Sequence, residues 1–177
     1  MPLPGKQWRH ITFGTHNSWL PGDPRGFRDH NHRLHSSGDH RHPPPTGEYA
    51  KLNQYAKQIS STPLLINKSN QWVVLHAIKT KLEQLNHRSI AIACCGMHVH
   101  ILAELPECLP EIKNITGKFK RSASLALHDS LPGRIWARGG NYEPVKTQSH
   151  QQATYAYILR HRKAWVWSET TGEIYND

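Results

Sequence analysis

Several things are scarce in this sequence. No apolar run approaches the roughly 20 residues that a membrane-crossing helix needs, which excludes a chain that spans a bilayer by helices. Residues Met1 to Arg9 offer neither the apolar core nor the small-residue cleavage site of a secretory leader, so a cytoplasmic location is expected. Cysteine is limited to Cys94, Cys95 and Cys108. An odd number with an adjacent pair inside an apolar stretch suits reduced core residues better than a disulfide framework. Acidic residues are few: 13 Asp and Glu stand against 22 Lys and Arg, and the formal charge of +9 with a pI near 9.7 favours a polyanionic partner, nucleic acid ahead of an anionic membrane. There is no internal repeat. At 177 residues the chain can bury one proper core, and a single domain over 1–177 is expected.

What the chain has in plenty is histidine, 14 residues, and neutral imidazole is a common metal ligand. Trp8 to Thr15 is aromatic and β-branched and predicts a first strand. From about 16 to 63 the periodicity breaks down into proline, glycine, histidine and arginine, with Pro43 to Pro45 in succession, and this stretch reads as a basic, partly irregular insertion. Trp72, Val73, Leu75, Ile78, Leu82 and Leu85 recur at three- and four-residue spacing and predict an amphipathic helix from about Asn67 to Leu85. Arg88 to Cys95 and Met97 to Leu105 read as two buried strands in a hairpin turning at Gly96. A second helix is expected from Leu109 to about His128, with Ile112, Ile115, Phe119 and Ala123 inward and Lys113, Lys118, Lys120 and Arg121 outward. A last strand within 134–145, broken at Gly139 and Gly140, and a helix over 148–163 complete the order β, α, β, β, α, β, α. That order predicts an α+β, ferredoxin-like fold, a four-stranded antiparallel sheet with helices on one face.

The most informative segment is Gly96 to Leu105. Side chains two apart on a strand share a face, so His98 and His100 can converge on a metal. A pair of core histidines satisfied by hydrogen bonds has the same spacing, but two unpaired rings in an otherwise apolar strand are costly to bury, and a ligand relieves that cost. Glu104 lies on the same face, either as an acceptor for His100 or, as expected here, ending the strand in water. On the last helix Tyr157 and His161 are four apart and share a face, whereas Tyr155 has only Ile158 and Leu159 at the equivalent positions. Tyr157 is therefore the candidate functional hydroxyl, beside a third polar ligand, and Tyr155 is read as packing.

Taken together, these features resemble the single-tyrosine HUH transposases of bacterial insertion sequences and their REP-associated relatives. The resemblance covers about two-thirds of the chain: an opening strand at Trp8 to Thr15, His-hydrophobic-His at His98, Val99 and His100, a Lys-rich helix with Gly117-Lys118-Phe119-Lys120, the strand at Trp136-Ala137-Arg138-Gly139-Gly140, and Tyr157-Ile158 on the closing helix. It implies a transposase that nicks single-stranded or hairpin DNA and transfers the strand through a 5′-phosphotyrosine. Tyr157 would be the nucleophile, with Mg²⁺ or Mn²⁺ held by His98 and His100. The family usually places Gln or Asn one turn after the tyrosine. Here that position is His161, which still ligates metal but shifts preference towards a softer ion.

The same resemblance puts Lys113, Lys118, Lys120 and Arg121 on a DNA-facing helix. In the insertion, Arg25, Arg28, Arg33 and Arg41 are expected to touch phosphates, with Trp19 or Phe27 to stack on a base. His30, His32, His35, His40 and His42 allow a zinc reading, but no cysteine accompanies them and a solvated basic loop is favoured. The family acts either as a homodimer with shared sites or as a single chain, a choice set by the linker around 141–150. The competing reading is a domesticated descendant that keeps the fold and binds DNA without cutting.

Overall fold

β1 (Lys6–Gly14) buries Ile11 and Phe13 on one face, and Trp8, His10 and Thr12 line the other. The computed structural model describes residues 2–25 and 44–177. Within them, β1 is followed by α1 (Ala50–Ile59), α2 (Lys68–Gln84), β2 (Ser89–Cys94), β3 (His98–Pro106), α3 (Leu109–Ala126), β4 (Asn141–Val145), α4 (Gln148–Leu159), β5 (Ala164–Ser168) and β6 (Gly172–Asn176). The chain forms two compact units, one of Met1–Thr15 with Leu65–Asp177, the other His16–Leu64.

The first unit holds an antiparallel sheet in the order β4-β1-β3-β2-β5-β6. The fold is α+β as expected, but the sheet has six strands rather than four. The difference lies after Tyr157. The closing helix stops at Leu159 rather than running to 163, because Ala164-Trp165-Val166-Trp167-Ser168 alternates buried with half-buried residues and pairs with β2, and β6 then folds back on β5. A positive φ of 51° at Lys163 lies in the turn between helix and strand.

The helices also do not share one face. Phe13 meets Phe119 of α3 at 5.9 Å between ring centroids, and the Ser122 hydroxyl of α3 donates to the Ala77 carbonyl of α2, so these two helices pack together on the Ile11 and Phe13 side. On the opposite side Ile158 of α4 is buried against Trp8, Ala91, Ala93, Leu102 and Val166. One face of the sheet therefore builds the larger core, and the other is left for α4 and the polar side chains beside it.

α2 begins at an N-cap whose side chain, Asn67, accepts the Asn70 N–H at 2.9 Å, and it buries Val74, Leu75, Ile78 and Leu82. Trp72, expected on that buried face, instead lies outside it and packs on His76 at 4.1 Å between ring centroids, because the core seam runs one residue to the side. α3 buries Ile112, Ile115, Phe119 and Ala123 as its periodicity predicts. β4 is shorter than expected, Asn141–Val145. It follows Gly140, where a Cβ would lie 2.9 Å from the Thr12 carbonyl, so glycine is what lets the chain approach β1 this closely.

In the second unit, α1 gives regular structure to a stretch expected to be irregular. Gly22 has φ +78°, and a Cβ there would stand 2.5 Å from the Asn53 backbone nitrogen of α1. The Arg25 guanidinium pairs with Asp23 at 2.6 Å and covers the Trp19 ring. Arg28, Arg33 and Arg41, the histidines from His30 to His42, and Phe27 lie outside the described residues.

Candidate active site

The β2–β3 hairpin sets the first half of the site. The Cys95 N–H donates to the His98 carbonyl at 2.9 Å, and Ala93 and Cys94 pair with His100 and Val99. Cys95 and His98 are thus opposite each other across the hairpin, on the face shared by Ala93 and His100, while Cys94 points into the other core. β1 adds a second row, because Thr12 pairs with His100 and His10 with Leu102.

α4 supplies the rest. Ile158 anchors it to the sheet, and Tyr157, next in sequence, is turned out of the apolar contact and is 51% exposed. The Tyr157 ring centroid lies 5.4 Å from that of His100 and 4.7 Å from that of His161. Tyr155 packs against the apolar cluster around Ile158. His161 is not on the helix itself but just past its C-cap, Arg160, where its Nδ1 sits 3.1 Å from the Tyr157 carbonyl and 3.2 Å from that of Ile158. A carbonyl only accepts, so Nδ1 carries the proton and Nε2 keeps its lone pair for a ligand.

His98, His100 and His161 come together, with ring centroids 4.8 Å apart for His98 and His100, 5.6 Å for His98 and His161 and 4.3 Å for His100 and His161. Two residues that sequence reasoning did not place here join them. His10 Nε2 is 3.1 Å, and Thr12 Oγ1 3.0 Å, from His100 Nδ1. In the tautomer with the proton on Nδ1, His100 donates to one of these neighbours and Nε2 keeps its lone pair; in the other tautomer the Thr12 hydroxyl donates to Nδ1. Only the β1–β3 register reveals these neighbours, whereas Cys95 had a local signal, the Cys95-Gly96-Met97-His98 spacing of a tight hairpin. Among the described residues, a group of donor atoms that all lie within 4.8 Å of one another is formed by Cys95, His98 and His161.

Burial governs the protonation of this site. It pushes the His100 pKa down to about 2, with His161, His98 and His10 adding repulsion. Burial lowers His10 and His161 as well; Glu143 partly offsets the effect at His10, and the two carbonyls do so at His161. Imidazoles held neutral can bind a cation without first shedding a proton. The Cys95 thiol is pushed up to about 12 by burial, and burial also raises Tyr157, so without a cation both remain protonated near neutral pH. The donors are nitrogen and sulfur. They suit Zn²⁺ better than Mn²⁺ and do not fit Mg²⁺, which prefers oxygen ligands.

The other candidate residues are distributed differently. Lys113, Lys118 and Arg121 are exposed on α3, but the Lys120 ammonium turns inward to the carbonyls of Ala137 and Gly139. Burial lowers its pKa to about 8. Glu104 does not end the strand in water: it is buried and accepts the Leu3 N–H, at the end of β3 away from His98.

No protein-family model matches the sequence, and no curated protein matches it. Among solved structures the chain is similar to a REP-associated tyrosine transposase bound to a REP hairpin, at 13% identity over 89% of this chain and 67% of that one, with a TM-score of 0.48. At that identity and score the likeness says nothing of activity.

Proposed function

We propose that this chain is a metal-dependent DNA strand-transfer enzyme that cuts single-stranded DNA with Tyr157. The observation that carries the reading is the meeting of β3 and α4: His98 and His100 from the strand, Tyr157 and His161 from the helix end, on one open face of the sheet. A half-exposed tyrosine beside three imidazoles has a nucleophile's access and a cation site within a few ångströms.

In the reaction, Tyr157 Oη forms a bond to phosphorus as its phenolic proton passes to solvent. The P–O3′ bond breaks, and the departing oxygen takes up a proton to become a free 3′-hydroxyl. The tyrosine then holds the 5′ phosphate as an ester, whose attack by another 3′-hydroxyl is strand transfer. A divalent ion held by the histidines would polarise the scissile phosphate and offset its developing charge. Ile158 fixes the helix so that Tyr157 faces this point. The carbonyls of Tyr157 and Ile158 orient His161, and His10 with Thr12 orients His100. These groups belong to a single chain, so a protomer acting alone is the simplest arrangement. The exposed cations Lys113, Lys118 and Arg121 would hold phosphates, as would Arg28 and Arg33 of the basic insertion, and Arg25 only once it leaves its pairing with Asp23.

The test is a cleavage assay on end-labelled single-stranded hairpin DNA with Mn²⁺, Mg²⁺ or EDTA. A covalent protein–DNA adduct that needs metal and disappears in both Tyr157→Phe and His98→Ala is the expected result. Binding without an adduct, whatever the metal or substrate pool, would instead make the chain a DNA-binding descendant of such enzymes.

A further inference from the structure

We propose that Cys95 is a ligand of this metal site, and that its thiolate, with His98 and His161, makes the centre select a thiophilic ion, Zn²⁺ or Co²⁺, over Mg²⁺. This goes beyond the reading above, since it concerns which ion binds and holds whether or not the chain cuts DNA.

Three observations converge on it. The hydrogen bond from the Cys95 N–H to the His98 carbonyl makes the two residues partners across the hairpin, so their side chains leave the same face side by side. The end of α4 brings in the third donor, and the carbonyls that occupy His161 Nδ1 leave Nε2 as its ligating atom. The donor atoms of Cys95, His98 and His161 all lie within 4.8 Å of one another. Zinc bonds of about 2.3 Å to sulfur and about 2.0–2.1 Å to nitrogen in tetrahedral geometry need donors closer by on the order of 1 Å, within the reach of side-chain rotation. Cys95, His98 and His161 are three protein ligands, and His100, which is not in that group of donors, stands beside the ion rather than on it; a fourth position is left for water or a phosphate oxygen, the arrangement of a reactive rather than a purely structural zinc site. Binding replaces the sulfur–hydrogen bond by a sulfur–metal bond and releases one proton to solvent. Cys94, fully buried and paired with Val99, belongs to the opposite face and is excluded from the site.

The experiment uses the full chain, stripped of metal and titrated with Co²⁺ while its absorption spectrum is recorded. A thiolate-to-cobalt charge-transfer band in the near ultraviolet is expected. It should survive in Cys94→Ser and Cys108→Ser, vanish in Cys95→Ser, be displaced by Zn²⁺ and be unaffected by excess Mg²⁺. Zn²⁺ affinity in Cys95→Ser should fall by at least the roughly 10–100-fold that loss of a mere supporting partner costs. Co²⁺ binding to the native chain without that band overturns the proposal and requires no variant to fold. So does a Cys95→Ser chain with native Zn²⁺ affinity. The DNA adduct is scored separately with Mn²⁺: an adduct without the band removes the thiolate ligand and keeps the nuclease, and a band without an adduct does the reverse.

Discussion

Tyr155 and Tyr157 differ by two positions on α4 and by which side of it they occupy, and the consequence is testable. Tyr155 packs against the cluster around Ile158, so Tyr155→Phe keeps that packing and should leave adduct formation unchanged, whereas Tyr157→Phe abolishes it; loss of the adduct in Tyr155→Phe would mean that the nucleophile has been misassigned. The histidines make a second prediction, in the metal-free protein. Burial holds the folded-state pKa of His100 at about 2, while the unfolded chain takes up that proton near the ordinary value of about 6.5. Between those values the unfolded state binds more protons. Stability is therefore complete above about pH 6.5 and falls as pH falls, by up to about 1.4 kcal/mol per pH unit for each such group. His10 and His161, lowered in the same direction, add to the loss. Urea midpoints at about pH 7 and about pH 5 should separate clearly in native protein and less in His100→Leu. Equal separation in the two would remove His100 as the source.

α4 is the element on which the site depends, and its most deeply buried side chain, Ile158, anchors it to the sheet with Tyr155 and Leu159 packed beside it. Ile158→Ala empties a fully buried position and should cost about 2–5 kcal/mol, with adduct formation reduced because Tyr157 and His161 ride on the loosened end. Thr147 caps the other end by accepting the His150 N–H at 3.1 Å. Thr147→Ala should cost only about 1 kcal/mol and leave the chemistry intact, since it is far along the helix from Tyr157. Thermal melts paired with the adduct assay distinguish the two. A common loss of activity would place the whole helix, rather than its C-terminal end, in the reaction. The same element shows where sequence reading stops. α2, α3 and the β2–β3 hairpin could be read from Leu75, Ile78 and Leu82, from Ile112 to Ala123 and from the apolar run around Gly96, because each has one buried face and a local period, although Trp72 does not share that face as its spacing suggests. The convergence of His98 and His100 was legible for the same reason. The end of α4 at Leu159 was not: Gln148 to Lys163 is helical in composition throughout, and only pairing with β2 pulls Ala164 onward into the sheet. His10 and Thr12 reach the site through a register between β1 and β3 some 90 residues apart in sequence, which no local pattern records.

At the scale of the whole molecule the governing quantity is the formal charge of +9, and its effect on DNA depends on which cations are free to meet phosphates. Lys120 is already committed to the carbonyls of Ala137 and Gly139, so the α3 surface offers Lys113, Lys118 and Arg121. Each phosphate neutralised on a single strand releases counterion and adds about 0.7 to the steepness with which log affinity falls against log salt. Replacing all three with Gln should therefore lower affinity at low salt and flatten the slope by about 2, while Lys120→Gln, which removes a charge of the same sign from the same helix, should barely change the slope and show its cost in stability. An unchanged slope in the triple variant would take α3 off the DNA and move the contacts elsewhere. The insertion is then the next candidate, and removal of residues 22–45, which takes out Arg25, Arg28, Arg33 and Arg41 together, should flatten the slope by up to about 3 if those arginines each hold a phosphate. Slopes reduced by both changes, in additive proportion, would mean that helix and insertion each contribute phosphate contacts. If the helix variant alone flattens the slope, the basic insertion is solvated and adds only to the long-range field.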